Sequence, residues 1–289
     1  MRAIAEGEGA LCATRRSAGV PFIIQALVTT ELQVQGNPLC FHGCITELLQ
    51  LSASGSAEAR GHALHVLRAL FRHAALGERV APHVAQGLVA ALHAFDAHSW
   101  AERNSSTLLL SALVQRVFGV QRSTMTGRIF FLRYPEVYDF MLEKLQEVSK
   151  ESDSEVLRPS LYPVLLLLAR LYPSSLEGTV SNLKLVAFIP HVLACARSSV
   201  MKTRQLAAKA IVPLISPEQS PNVPQETVNE ICSSLHTLIF APKPTTITPG
   251  RDVCLSNAMY LYLILATLHN RSGTPDLVYK GLQHSSYEV

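Results

Sequence analysis

Charged side chains are scarce in this sequence, and long apolar runs are missing. Only 16% of the residues are charged while 48% are hydrophobic, whereas about 25% are charged in typical soluble domains. A chain with this much apolar surface is not intrinsically disordered. The densest apolar runs, 161–169 and 258–266, have nine residues each, and a membrane-spanning helix needs about 20. We therefore predict a folded protein with buried helices and no membrane insertion.

A secretion signal and a disulfide framework are also missing. Glu6 and Glu8 interrupt the stretch where a signal peptide would need an apolar core. The six cysteines show no framework spacing, so we expect reduced thiols in a cytosolic or nuclear setting. Of these two locations we predict the cytoplasm. The helical pattern opens abruptly, and 281–289 contains no capping signal. Both features indicate a segment of a longer protein.

Motifs for catalysis, cofactors and metals are not found. Nothing matches GxSxG or a P-loop, and the GEG at 7–9 follows no strand. Cys40 and Cys44 would share a helical face with His42 turned away, and no second pair completes the four ligands of a zinc site. The 11 histidines have no nucleophile or substrate pocket in view. We predict no catalytic residues, no cofactor, no metal and no enzymatic activity.

The sequence does contain helical periodicity. Apolar residues recur at three- and four-residue spacing, and prolines or polar turns separate segments of helical length. The pattern predicts helices at about 17–30, 38–53, 57–75, 78–96, 99–119, 135–150, 160–172, 180–197, 199–215, 225–240 and 253–270. The stretch 241–250 contains three prolines and is predicted to be a loop.

An arginine-headed segment recurs along the chain. Arg16, Arg60, Arg103 and Arg204 each open a segment of small and polar residues that leads into an apolar helix, at intervals of 44, 43 and 101 residues. The last interval is about two repeats, and HEAT or armadillo units have ~40–47 residues. We predict an all-α, HEAT/armadillo-like solenoid of stacked antiparallel helix pairs, continuous as one segment over 1–289.

Residues 1–135 contain 12 arginines, no lysine and 8 acids. Arginine suits bidentate recognition of phosphate or carboxylate. A general compositional bias towards arginine explains the same excess equally well. Two predicted helix starts combine arginines with small polar residues, where open backbone amides favour anions. The candidate binding residues there are Arg15, Arg16, Ser17, Arg103, Asn104 and Ser105. The alternative is an intramolecular ladder, in which an arginine of one repeat pairs with an acid of the next, and we favour the ladder for Arg60 and Arg204.

The segment 116–133 mixes cations with aromatic rings, which is typical of nucleic-acid surfaces. Phosphates would contact arginines, and bases would stack on phenylalanines. The arginines are Arg116, Arg122, Arg128 and Arg133. The alternative for Phe130 and Phe131 is that they close the core beneath a connector.

Three of these segments together resemble the thyroid adenoma-associated protein (THADA) family. The resemblance rests on RRSAGVPF at 15–22, ERNSSTLLLSALVQRVFG at 102–119 and MTGRIFFLRYPEVYDFML at 125–142. Their order and spacing are similar to the family's central domain. The likeness covers about the first half of the chain, and a continued helical array follows from about residue 150. Family members are several times longer than this chain.

The resemblance implies a non-catalytic, tRNA-binding regulatory subunit. Its partner would be an FtsJ-type tRNA 2′-O-methyltransferase, which would carry the S-adenosylmethionine and methylate the ribose in the anticodon loop. The positions that match the family motifs are Arg15, Arg16, Ser17, Arg103, Asn104 and Ser105. A general HEAT-repeat scaffold that binds proteins but not RNA is the alternative function.

Overall fold

A computed structural model describes residues 19–35, 39–119, 125–150, 159–172, 185–195 and 200–214. These residues are almost entirely helical, and the one β contact among them is an isolated bridge between Thr126 and Tyr172. The predicted all-α class is confirmed. The α-helices are α1 (Val20–Gln35), α2 (Leu39–Ser54), α3 (Ala57–Arg72), α4 (Gly77–Val80), α5 (Val84–Ala94), α6 (Trp100–Phe118), α7 (Gly127–Arg133), α8 (Pro135–Lys150), α9 (Leu161–Arg170), α10 (Ile189–Cys195) and α11 (Met201–Ile211).

Two compact units divide the chain. The first takes Met1–Ser123 and Tyr134–Phe140, and the second takes Thr124–Arg133 and Met141–Val289. Helix α8 is therefore shared between the units, and α1 to α6 belong to the first. The predicted single continuous solenoid over 1–289 stays a prediction.

The first unit contains two stacked helix pairs. Helix α2 packs against α3, α5 packs against α6, and the pairs meet through α3 with α6 and α2 with α5. Phe41 at the start of α2 lies edge-on to His83, just before α5, with ring centroids 6.2 Å apart. These positions are 42 residues apart, within the ~40–47 residues of a HEAT or armadillo unit. The arrangement fits the predicted repeat.

Helices α3 and α6 run parallel, one repeat apart. Arg60 near the start of α3 binds Glu102 near the start of α6, and Arg116 in the last turn of α6 binds the carbonyl of Phe71 in the last turn of α3. Between these ends, Ser105 lies 2.9 Å from His65. Because first turn meets first turn and last meets last, the two helices are in register.

Helices α5 and α6 are antiparallel and closely packed. The Ser106 hydroxyl donates to the Ala91 carbonyl at 2.6 Å, and Gly87 lies near Leu113 further along α6. A Cβ on Gly87 would stand 2.9 Å from the Phe71 ring. Only glycine lets α5 approach α3 and α6 this closely.

The break before α5 falls inside the predicted helix 78–96. The chain there forms α4, a 3-10 turn at Ala81–His83 and then α5. Pro82 lies in the first turn of the 3-10 segment, where its missing N–H interrupts a continuous helix. The predicted long helix is wrong at this point, although α2, α3, α6 and α8 lie close to their predicted bounds.

In the second unit, aromatic side chains form the core beneath α7. Phe130 and Phe131 are fully buried, and Phe131 stacks on Phe188 with ring centroids 5.4 Å apart. Leu185 lies near Gly127 at the start of α7. Helix α9 packs on α11, which also packs on α10. No helix is predicted at 127–133, yet α7 forms there, and its two adjacent phenylalanines anchor it to the core.

Each helix in the described part of the chain is too short or too polar to cross a bilayer. The predicted helices at 225–240 and 253–270, and the loop at 241–250, lie outside the described residues.

Candidate functional site

The start of α3 is closed by its own chain and by the next repeat. The Ser56 hydroxyl accepts a hydrogen bond from the Ala59 amide at 3.2 Å, which caps the helix. The Arg60 guanidinium donates through Nη1 to the Gly55 carbonyl at 2.8 Å. On its other edge, Nε donates to Glu102 Oε1 at 2.6 Å and Nη2 donates to Glu102 Oε2 at 3.0 Å. The ladder predicted for Arg60 is therefore confirmed.

This ion pair is partly buried. The Glu102 side chain is 3% exposed and that of Arg60 is 30% exposed. The hydrogen bond from Arg60 to Glu102 raises the pKa of the guanidinium, so Arg60 stays charged at any physiological pH. A bidentate geometry of this kind fixes direction as well as distance. The Arg204 side chain, for which a ladder is also predicted, lies outside the described residues.

The start of α6 has the same components in a more open arrangement. Ser99 occupies the N-cap position, but its hydroxyl makes no capping hydrogen bond. Arg103 donates through Nη1 to the carbonyls of Ala97 and His98 at 2.7 and 2.9 Å. Its Nε and Nη2 edge, which holds a carboxylate in Arg60, bonds to none of the described residues. Arg103 and Asn104 are both half-exposed.

A small cavity of about 40 Å³ lies between the starts of α3 and α6. Its walls come from Ala57, Glu58, Gly61 and His65 on one side and from Ser99, Ala101 and Ser105 on the other. A water molecule needs about 10–15 Å³ of such space. The cavity has room for water or a small ion and none for a nucleotide.

Ser105, a predicted binding residue, is buried between the helices. Its hydroxyl donates to the Ala101 carbonyl at 2.7 Å and meets His65 Nε2 at 2.9 Å. When the hydroxyl donates to the Ala101 carbonyl, it can only accept from His65, which requires the tautomer with the proton on Nε2. In that tautomer the imidazole is not a base for this serine, and both side chains are buried between the helices.

Arg116, another predicted binding residue, also has internal partners. Its Nε donates to the Phe71 carbonyl at 2.7 Å, and its Nη2 donates to the His73 carbonyl at 2.9 Å. These carbonyls lie at the C-terminal end of α3, where the last turn lacks intrahelical donors. Arg116 thus stabilises the end of the preceding repeat.

Arg128 and Arg133 lie on α7 in the second unit, half-exposed and exposed respectively. Phe130 and Phe131 between them are fully buried. The hypothesis that these two rings stack on bases is wrong, because both face the core. Arg15, Arg16, Ser17 and Arg122 lie outside the described residues, and their roles stay predictions.

Two residues of this region were missed by the sequence reasoning. Glu102 was not singled out as the ladder acid, although it lies 42 residues after Arg60, one repeat length away. Trp100 was not considered, yet its side chain is 68% exposed at the first position of α6. Helical spacing from Arg103 would have placed it on the same face.

Three of the six cysteines lie in the described part of the chain. Cys40, Cys44 and Cys195 are free thiols, and a hydrogen bond to Glu31 raises the pKa of the exposed Cys40. Burial raises the pKa of Cys44 to about 11 and that of Cys195 to about 12. Thiols with such pKa values stay protonated at neutral pH and are poor nucleophiles and ligands. The described residues contain no group of three or more His, Cys, Asp or Glu that could hold a metal ion.

Two family models match the chain in succession. Residues 1–101 match "THADA/TRM732, DUF2428", and residues 103–239 match "Trm732, C-terminal TPR repeats". No solved structure matches the chain.

Curated relatives give the same family. The chain is 44% identical over 245 residues to the mouse (Mus musculus) protein named "tRNA (32-2'-O)-methyltransferase regulator THADA", an alignment that covers 79% of this chain. The human protein of that name is 42% identical over 241 residues and 78% of this chain. The Schizosaccharomyces pombe "tRNA (32-2'-O)-methyltransferase regulator trm732" is 25% identical over 222 residues and 70% of this chain.

These relatives are far longer than the chain. The alignments cover 12% of the mouse and human proteins and 15% of the S. pombe protein. The two family models and the relatives nonetheless agree on one family. The chain belongs to the THADA/Trm732 family.

Proposed function

We propose that the chain is a non-catalytic, tRNA-binding part of a regulatory subunit. Its partner is an FtsJ-type methyltransferase that modifies the 2′-oxygen of a ribose in the tRNA anticodon loop. The relatives' names, which describe regulators of a tRNA (32-2'-O)-methyltransferase, support the regulatory role. In this proposal the enzyme holds the cofactor, the solenoid holds the RNA, and the complex works in the cytosol.

The observation that carries RNA binding is the open edge of Arg103. The equivalent edge of Arg60 holds a carboxylate with both oxygens, and the same pair of N–H donors can bind two oxygens of a phosphate. Arg103 already uses Nη1 to fix its side chain on the Ala97 and His98 carbonyls. The remaining edge is therefore pre-oriented, which reduces the entropy lost on binding an anion.

The other predicted binding residues fall into two groups, those that remain candidates for RNA contact and those with a structural role. Asn104 flanks Arg103 on the exposed side of α6, and the uncapped amides at the start of this 19-residue helix favour an anion. Arg128 and Arg133 remain candidates for phosphate contact in the second unit, as do Arg15, Arg16, Ser17 and Arg122. We assign Ser105 and Arg116 a structural role, because internal hydrogen bonds occupy both.

The direct experiment is tRNA binding by the 289-residue chain at several salt concentrations. Arg103→Ala should weaken binding for every tRNA tested and lower the slope of log K against log salt by about one. The matched control is Arg79→Ala, an exposed arginine on α4, which should leave the slope unchanged. Equal slopes for Arg103→Ala and the parent would remove this residue from the interface.

The regulatory role needs its own measurement in the full-length family protein. Methyl transfer to tRNA by the FtsJ-type enzyme should require the regulator, and Arg103→Ala should reduce it about tenfold at limiting tRNA if one phosphate contact of ~1.4 kcal/mol is lost. The 289-residue chain alone with S-adenosylmethionine should transfer no methyl group. Methylation that is independent of the regulator would contradict the proposal.

A protein-binding scaffold is favoured by a different observation. Ile23, Leu27 and Val34 form an apolar stripe along α1, and Phe22 lies beside it, with 59–76% of each side chain exposed. Exposed apolar stripes of this kind mark protein contacts. If scaffolding is the whole function, Leu27→Glu should abolish capture of the methyltransferase while tRNA affinity stays undetectable in parent and variant alike.

A further inference from the structure

Trp100 is the single tryptophan of the chain, and it faces solvent. It occupies the first position of α6, where 68% of its side chain is exposed. Tryptophan carries a large apolar surface that a folded chain usually covers. Among the residues that the structure describes, no packing role is visible for this ring.

Polar and cationic side chains share the face of α6 that carries Trp100. Arg103, Asn104 and Thr107 follow it by three, four and seven residues, the spacing at which helical side chains are neighbours. Ser111 continues the face, and it is exposed, as is Thr107. The opposite face packs against α3 and α5 through Glu102, Ser105, Ser106 and Leu109, all of which are buried.

This face carries no carboxylate. The acids between residues 95 and 118 are Asp96 and Glu102; Glu102 is buried against Arg60, and Asp96 lies in the preceding turn. A guanidinium edge without a recorded partner, an amide and an exposed indole thus stand within two helical turns of one another.

We propose that Trp100 is a stacking platform for an unpaired RNA base, with Arg103 binding the adjacent phosphate. The indole offers a flat π surface to a base of any identity, and such stacking contributes to affinity without sequence preference. Bases in a duplex are already stacked on each other, so the site selects single-stranded segments such as loops. Asn104, one turn from the ring, can hydrogen-bond to a base edge.

A protein partner fits this face less well. A protein contact needs a central cluster of apolar side chains, and beyond Trp100 this face presents Asn104, Thr107 and Ser111. The stripe on α1, with Ile23, Leu27 and Val34 exposed, has that character. The cation and the lack of a carboxylate on this face of α6 favour a polyanion.

The inference rests on the proposed RNA-binding function, and tryptophan fluorescence tests it separately. Because the chain has one tryptophan, excitation of tryptophan alone reports on Trp100. We expect a single-stranded oligouridine of about ten nucleotides to quench the emission by about half or more. A duplex RNA of the same length should quench it much less. A parallel salt titration of binding shows whether RNA is held at all.

Variants at position 100 separate stacking from general apolarity. Trp100→Leu keeps an apolar side chain without a ring and should weaken single-strand binding about tenfold, whereas Trp100→Phe should retain affinity within about threefold. Retained RNA affinity in Trp100→Phe would show that a substitution at this position leaves the chain folded. The urea unfolding midpoint of both variants should also equal that of the parent.

The outcomes are distinct. Salt-dependent RNA binding with unaltered Trp100 emission and equal affinities of the Leu and Phe variants would overturn the stacking role and leave the proposed function standing. If RNA does not bind at all, both proposals fail. If RNA affinity is unchanged in Trp100→Leu while capture of the methyltransferase falls, the ring is a protein contact and the stacking proposal is wrong.

Discussion

The starts of α3 and α6 are two versions of one sequence pattern with different surroundings. Residues 56–60 read SAEAR and residues 99–103 read SWAER, so each has a serine followed four residues later by an arginine. In α3 the serine caps the helix and both edges of the arginine are bonded. In α6 the serine makes no cap bond, and only one edge of the arginine has recorded partners.

The glutamate position accounts for part of the difference. Glu58 follows its serine by two residues and is exposed, whereas Glu102 follows its serine by three and is buried. A shift of one residue turns a side chain by about 100° around a helix, because a turn has about 3.6 residues. Glu102 therefore faces α3 and completes the Arg60 site. The lesson is that a repeated motif can be structural in one repeat and open to a ligand in the next.

Of the substitutions that test this comparison, Arg60→Ala is expected to have the largest effect on stability. The change leaves the Glu102 carboxylate buried without its partner, and we expect a loss of about 3 kcal/mol in the free energy of unfolding. This is the low end for a buried pair, since Arg60 itself is partly solvated. Urea unfolding followed by Trp100 emission measures it. Arg79→Ala, an exposed control, should change stability by less than about 0.5 kcal/mol, and an equally small loss for Arg60→Ala would mean that the ladder is energetically unimportant.

A smaller loss is expected for Arg116→Ala, which affects the other end of the same helix pair. The Phe71 and His73 carbonyls would lose their charged donor but could turn to water, which suggests a cost of about 2 kcal/mol. Arg116→Lys should recover only part of the stability lost in Arg116→Ala, because one ammonium group cannot reproduce the contact of a guanidinium with two carbonyls. Full recovery in Lys would mean that charge alone matters.

The next step down is Glu102→Gln, which keeps the shape of the side chain and removes its charge. One oxygen can still accept from Arg60, while the amide nitrogen would face a guanidinium donor, so we expect a loss of about 1–2 kcal/mol. A double-mutant cycle with Arg60→Ala tests the pairing. If the two losses simply add, the residues are not coupled in solution.

The smallest stability change is expected for Arg103→Ala, at about 0.5–1 kcal/mol, since two hydrogen bonds to carbonyls of a partly exposed turn are lost. Its effect should instead appear in RNA affinity and salt dependence. A melting temperature that falls as far as in Arg60→Ala would show that Arg103 is a ladder residue and would end the contrast between the two helix starts.

Local sequence patterns were enough to predict the all-α class, most helices of the first unit and the repeat length. Apolar spacing and prolines act within a few residues of chain, which is why these predictions succeed. The helix α7 was missed, because Phe131 holds it through its contact with distant Phe188. Ser105 could not be recognised as buried, since its partner His65 lies one repeat earlier. Which arginine is occupied depends on such neighbours.

The parallel register of α3 and α6 has a kinetic consequence. Polar contacts join the two helices at both ends and in the middle, through Arg60, His65 and Arg116. Neither helix can open without breaking contacts along the full length of the other. Their amide protons should therefore exchange with deuterium as one cooperative block. The turn at Ala97–Ser99, which Arg103 holds from one side, should exchange earlier and slow down when RNA is bound.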